Sequence, residues 1–232
     1  ILDLSCNLLD YEFLNCAQPD QFPHLNKLKL QELYLNENPQ LHPKLTALDS
    51  HWLTILKSVK YLGLRATGFS SHFPLYSKSL HDGSILSLDL SSNLLTSEMI
   101  DQILQNLPSK ITTIKLTPNP YSRRRPSPLP HYTPTNTHRS QNLQYLNLRG
   151  IAISDTTIKW ICHLSETSTT LTELDLTTTQ LGNRRCIPCL QSISQSSSIK
   201  RLLLSDNSLS DECGLQVAAM LKSNLFIECV HL

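Results

Sequence analysis

The chain reads as an α/β solenoid, and three observations carry that reading. An apolar-x-Leu step recurs nine times in 232 residues, with its first apolar position at Leu2, Leu33, Leu62, Leu88, Ile114, Leu146, Leu174, Leu202 and Val230. The spacings are 31, 29, 26, 26, 32, 28, 28 and 28, a period near 28 that belongs to stacked repeats rather than to a closed globular core. Between the steps, several segments switch from alternation to helical spacing.

The step itself is a strand. In Leu171-Thr-Glu-Leu174-Asp-Leu176, apolar and polar residues alternate, the period-two sign of a sheet buried on one face. The same frame holds at Ile85 to Leu90, Leu143 to Leu148 and Ile199 to Leu204. Three residues past the second Leu stands an Asn at Asn7, Asn38, Asn93, Asn119 and Asn207. An Asn amide where the chain leaves a strand bonds turn backbone groups, so stacked Asn residues tie neighbouring turns together. Thr67 and Thr179 can do part of this and Ile151 none of it, so the ladder is expected to be weakest at Ile151.

The helices follow. Ser97 to Leu107 places Ile100, Ile103, Leu104 and Leu107 at helical spacing, with acids in the first turn where the dipole favours them. Asp155 is expected to cap a helix carrying Ile158, Ile161 and Leu164, and Ser50 one carrying Leu53 and Leu56. Ser210-Asp-Glu-Cys213 opens another, with Leu215, Ala218 and Leu221 as its apolar residues at helical spacing. Pro19 to Pro23 and His72 to Pro74 spoil the helical pattern in the first and third repeats, which predicts loops or short turns there.

The pattern resembles the leucine-rich repeat family along the whole chain, and its spacing resembles the ribonuclease-inhibitor-like subclass. The resemblance implies a leucine-rich repeat solenoid (horseshoe) of about eight repeats spanning 1–232, with a parallel sheet on the concave face and helices and loops on the convex face. The stretch Leu107-Pro-Ser-Lys-Ile111-Thr-Thr-Ile-Lys-Leu116, with low Gly and abundant Ser, Thr and Ile, also resembles leucine-rich-repeat effectors of intracellular bacteria such as Legionella. That second resemblance implies delivery into host cytoplasm and binding to host or other effector proteins.

One segment breaks the repeat. Residues 118–142, within the fifth repeat, hold six of the 13 prolines and the Arg123-Arg124-Arg125 run. Proline at this density removes backbone donors and forbids helix. A passive insertion on the convex edge is the preferred reading, over a basic loop that touches a partner, because solenoids accept insertions cheaply.

Composition bounds the function. A net charge of +1 gives no overall reason for nucleic-acid or anionic-membrane binding, and no apolar run approaches the length of a membrane span. Because the step is already running at Ile1 and Leu2, the chain is expected to be the interior of a longer protein. The seven Cys are an odd number, with Cys6, Cys162, Cys213 and Cys229 in or beside packing positions, so free thiols in a reducing intracellular compartment are expected. Cys186-Ile187-Pro188-Cys189 is a CxxC without the second pair a structural zinc needs, and is read as packing. There is no HExxH, no Gly-rich phosphate loop and no GxSxG, and Cys189 has no His expected in its own layer. No catalytic residue, metal or cofactor is expected.

What remains is the outward face of the strands, whose residues fall in lateral rows. The candidate protein-binding set is Glu32, Tyr34, Asn36, Tyr61, Arg65, Asp89, Lys115, Tyr145, Asn147, Arg149, Glu173, Asp175, Arg201 and Leu203. Tyr and Arg are enriched in interface hot spots, and interspersed charges of both signs suit a protein better than a uniform polyanion. The expected function is a non-catalytic protein-interaction module, monomeric in isolation, acting as an effector or as an inhibitor or regulator. The alternatives are the substrate-recognition part of a larger enzyme or regulator, of ubiquitin-ligase or GTPase-activating type, and a scaffold in a large assembly.

Overall fold

A computed structural model describes residues 1–9, 29–41, 56–68, 83–118 and 142–232. The strands are β1 (Leu2–Asp3), β2 (Glu32–Tyr34), β3 (Tyr61–Gly63), β4 (Ser87–Asp89), β5 (Thr113–Lys115), β6 (Tyr145–Asn147), β7 (Glu173–Asp175), β8 (Arg201–Leu203) and β9 (Cys229–His231). The described helices are α1 (Ser97–Gln105), α2 (Asp155–Thr167), α3 (Gly182–Ser194) and α4 (Asp211–Ser223). All nine strands pair in parallel and in sequence order, each apolar step opposite the next, from Leu2↔Leu33 to Leu202↔Val230. The chain is thus a leucine-rich-repeat-like α/β solenoid.

Each interior layer of the solenoid is built from three apolar positions per repeat. In the seventh repeat Leu171, Leu174 and Leu176 are all 0% exposed; Ile199, Leu202 and Leu204 repeat them one layer on. Burying a Leu side chain stabilises by about 1.5–3 kcal/mol, and a stack of such triplets forms one continuous core. Exposure returns at the edge strand, where Leu2 is 39% exposed.

The turn after seven of the nine described strands uses a left-handed residue at the fourth position past the step's first apolar residue. Cys6, Glu37, Ala66, Ser92, Thr178 and Asp206 have φ between 52° and 59°, and Gly150 has φ 78°. A non-glycine residue there costs roughly 1–2 kcal/mol. N–H groups at these positions reach the next repeat, as in Glu37 N to Arg65 O at 2.7 Å and Thr178 N to Ser205 O at 2.8 Å. Pro118 occupies this position in the fifth repeat; its φ is locked near −65° and it has no N–H, so the turn cannot be made there. A Cβ on Gly150 would lie 3.0 Å from the Pro118 ring, so glycine also makes room for that proline.

The Asn ladder forms as its chemistry requires. Asn207 donates to Leu176 O at 2.7 Å and Leu204 O at 2.8 Å, and accepts from Thr179 N at 2.9 Å and Leu181 N at 3.2 Å. Asn93 similarly bonds Leu64 O, Leu90 O and Thr67 N. The Thr67 and Thr179 hydroxyls bond the carbonyl three residues back in their own turn, Leu64 and Leu176, and meet the Asn of the next repeat. Ile151 is buried and closes its turn by backbone alone, donating to Leu148 O at 3.1 Å.

A second ladder is not evident from the strand motif. Ser168, Ser196 and Asn224 stand 28 residues apart, just after α2, α3 and α4, and all are buried. Ser168 Oγ accepts from Leu171 N at 3.0 Å, and Asn224 joins Ile193 O and Ser196 O of the previous repeat to the N–H groups of Phe226 and Ile227. These side chains return the chain from helix to strand.

Three expectations are corrected, two on the helices and one in a turn. Ser154, not Asp155, caps α2: its Oγ accepts from Thr157 N at 2.9 Å, while Asp155 lies in the first turn and pairs with Arg185 at 2.7 Å. In α4 the inward stripe is Cys213, Val217 and Met220, whereas Leu215 is 72% exposed, Leu221 46% and Ala218 also exposed. Two apolar stripes compete on that helix, and docking on α3 selects the one whose spacing matches Cys186, Leu190 and Ile193. Cys6 is exposed rather than packed, since it holds a left-handed turn position beside Glu37. The proposed insertion at 118–142 (except Pro118 and Asn142), the ladder residue Asn119, the loops at Pro19 to Pro23 and His72 to Pro74, and the Ser50 and Leu53 end of the second-repeat helix lie outside the described residues.

Candidate functional site: the open face of the sheet

The open face is assembled by register. Parallel pairing aligns Glu32, Tyr61, Ser87, Thr113, Tyr145, Glu173, Arg201 and Cys229 in one row. A second row runs Asp3, Tyr34, Gly63, Asp89, Lys115, Asn147, Asp175, Leu203 and His231. Side chains alternate faces along a strand, so while the Leu positions are buried, these rows look away from the core.

Part of this face serves the fold. Asp3, Asp89, Asn147 and Asp175 each accept, at 2.9–3.0 Å, the backbone N–H two residues on, from Ser5, Ser91, Arg149 and Thr177. Such Asx bonds satisfy the second N–H beyond the strand, which has no ladder partner. Gly63 cannot supply one, and Asn36 of the preceding repeat accepts from Arg65 N at 2.9 Å instead. Asn36 and the Tyr34 ring occupy the space a Gly63 side chain would need, since a Cβ there would fall 2.8 Å from each.

Other members are held by their neighbours. The Tyr34 hydroxyl donates to Glu32 at 3.1 Å; burial first, and then this carboxylate, raise the phenol above its ordinary pKa. Tyr145 accepts from Asn147 Nδ2 at 2.9 Å and is also raised, mainly by burial and further by the charges of Glu173, Asp175 and Asp89. Arg201 pairs with Glu173 at 3.3 Å, and Arg65 with Glu37 at 3.7 Å. Exposed pairs of this kind contribute at most about 1 kcal/mol.

Lys115 and Arg149 differ from these arginines. Both are exposed, and among the described residues neither side chain makes an ion pair or hydrogen bond. Tyr61 is 44% exposed, and Tyr145 and Leu203 are partly exposed in the same rows. The pairing places Lys115 between Asp89 and Asn147, two strands from Tyr61 and one from Tyr145. Of the fourteen candidates, Asp175 alone is fully buried, at 5% exposure. Sequence reasoning overlooked Glu37 and Gly63: the left-handed turn aims Glu37 at Arg65, and the glycine admits Tyr34.

No group of three or more His, Cys, Asp or Glu side chains among the described residues is placed to hold a metal, and no described helix is long and apolar enough to cross a membrane. No family model matches the chain, and no curated protein matches it. Among solved structures, the tropomodulin C-terminal domain of Caenorhabditis elegans is similar, at 15% identity with 87% of this chain and 89% of that chain covered and a TM-score of 0.38. The assignment of the solenoid rests on the nine paired strands themselves.

Proposed function

We propose that the chain is a non-catalytic protein-interaction module that holds a protein partner on the open, concave face of its sheet. The observation that carries this reading is the pair of cations unpartnered among the described residues, Lys115 and Arg149, set among Tyr61, Tyr145 and Leu203 on a parallel sheet. Unpaired charge beside partly exposed aromatic and aliphatic surface is the make-up of an interface centre with its rim. Acidic Glu32, Asp89 and Glu173 interleave with the cations, so the surface suits a protein with charges of both signs rather than nucleic acid.

Helices after β4, β6, β7 and β8 support the ribonuclease-inhibitor-like subclass. Six free cysteines among the described residues support a reducing compartment, as in host cytoplasm for a delivered bacterial effector. The module is expected to be monomeric in isolation and to inhibit or position what it binds.

The test is affinity capture with the chain as bait, read by mass spectrometry, and repeated with K115E/R149E. That double variant is expected to lose the captured protein while keeping wild-type far-UV circular dichroism. A control reversal on the helix side, R184E, is expected to retain it. Equal capture by all three baits refutes the assignment of the sheet face.

A further inference from the structure

On the helix side, α3 and α4 meet through two cysteines. Each stands at the head of its helix's inward stripe, Cys186, Leu190 and Ile193 on α3 and Cys213, Val217 and Met220 on α4. The Cys213 thiol donates to Cys186 Sγ, and the two sulfurs lie 2.8 Å apart. Both are free thiols, 0% and 1% exposed.

Packing explains a small apolar side chain at each of these positions, because a free cysteine behaves as a small hydrophobe. It does not explain why the two meet sulfur to sulfur, nearer than unbonded sulfurs rest against one another. A disulfide spans about 2.04 Å, so a shift of about 0.8 Å brings the pair to bonding distance. The bond would join residues 27 apart and so close one whole repeat into a loop. Access is the remaining question, since no peptide-sized oxidant reaches sulfurs so fully buried. α4 has to lift from α3 first, and it is the helix built to do so. It buries three residues where α3 buries five, and it turns Leu215, Ala218 and Leu221 outward. Elements with few buried apolar residues open locally at the least cost.

We propose that Cys186 and Cys213 are a covalent modification site, a dithiol that a small organic disulfide such as oxidised glutathione converts to an α3–α4 disulfide. While α4 is lifted, one cysteine loses its proton to solvent and its thiolate attacks a glutathione sulfur. The glutathione S–S bond breaks, one glutathione leaves as thiolate and is protonated, and a mixed disulfide remains on the protein. The second cysteine, deprotonated in turn, attacks the protein sulfur of that mixed disulfide; this S–S bond breaks and the second glutathione leaves. Two protein thiols lose two electrons and two protons, and one small disulfide becomes two thiols. When α4 docks again, the new bond holds it on α3. In a reducing pool the pair stays as two thiols and α4 keeps its freedom to open. The site is on the helix side, so it does not depend on what the sheet face binds.

The test incubates the reduced wild-type chain with oxidised glutathione, in buffer and at urea concentrations below the unfolding midpoint. The mass is expected to fall by two hydrogens, and non-reducing peptide mapping to locate the bond at Cys186–Cys213. Because opening limits the reaction, the bond is expected to form about tenfold faster at the highest urea than in buffer. The bonded chain is expected to unfold at a urea midpoint roughly 1 M above that of the reduced chain, since the cross-link closes a full repeat. Its α4 amides are expected to exchange more slowly, and C213S to show neither change. Bonds that map to other cysteine pairs while Cys186 and Cys213 stay as thiols overturn the proposal. A bonded chain with an unraised midpoint, or a formation rate indifferent to urea, overturns it equally, and these outcomes are all read on the wild-type chain.

Discussion

Removing the Asn207 side chain orphans a defined set of backbone groups. In N207A the N–H groups of Thr179 and Leu181 lose their acceptor, and Leu204 O loses its donor. Leu176 O keeps the Thr179 hydroxyl at 2.6 Å. All three orphans belong to residues at most 3% exposed, where an unsatisfied group costs about 1–3 kcal/mol. Taking the lower half of that range for three groups, because the turn relaxes, gives a loss of about 4 kcal/mol. Against a total stability of about 5–15 kcal/mol, that is enough to detach the last repeats before the rest. N207T restores the bond to Leu204 O, as Thr67 and Thr179 make to their own turns, and is expected to recover about a third of the loss. Urea unfolding followed by far-UV circular dichroism measures both variants, and hydrogen exchange at the Thr179 and Leu181 amides places the damage. An N207A cost below about 1 kcal/mol, with the Thr179 amide still protected, refutes the ladder as the tie between turns.

Three further perturbations test other links. G63A forces a Cβ to within 2.8 Å of the Tyr34 ring and Asn36, and is expected to cost about 1–3 kcal/mol in urea unfolding; adding Y34A is expected to recover part of it, and strict additivity refutes the steric account. D101A removes the acceptor of the Ser154 and Thr157 hydroxyls at the start of α2, with an expected cost of about 1–2 kcal/mol in melting or urea experiments; an unchanged midpoint refutes that inter-helix contact. Deleting Ser122 to Thr137 is expected to leave stability and partner capture unchanged, because β5 and β6 pair in register, Ile114↔Leu146, as any consecutive strands do. Loss of the partner on that deletion moves the binding site to the segment.

The fold was legible because its signal is redundant. Nine copies of one step outvote any single irregular repeat, and each strand is set by local alternation. The outward rows could be written down residue by residue, since register follows from aligning the steps. What those residues do on the face was not legible. Asp89, Asn147 and Asp175 look like free acceptors in the sequence, yet each closes its own turn. Arg65 and Arg201 read like Arg149, yet each finds a carboxylate, Glu37 one residue before the ladder Asn38 and Glu173 one strand away. The α4 stripe was misassigned because Leu215, Ala218 and Leu221 fit a helical period as well as Cys213, Val217 and Met220.

The sequence by itself determined the solenoid, the inward Leu layers and the Asn ladder, because these depend on spacings within and between identical short motifs. Only the tertiary structure decided which outward charges are spent on neighbours, leaving Lys115 and Arg149 unpaired among the described residues, and which helix face docks. It also set Cys186 against Cys213, their sulfurs 2.8 Å apart, residues 27 apart with nothing local to relate them. The physical reason is the same in each case. Periodicity assigns a side chain to a face, but partners on that face come from adjacent repeats, and their distances are set by how the layers stack.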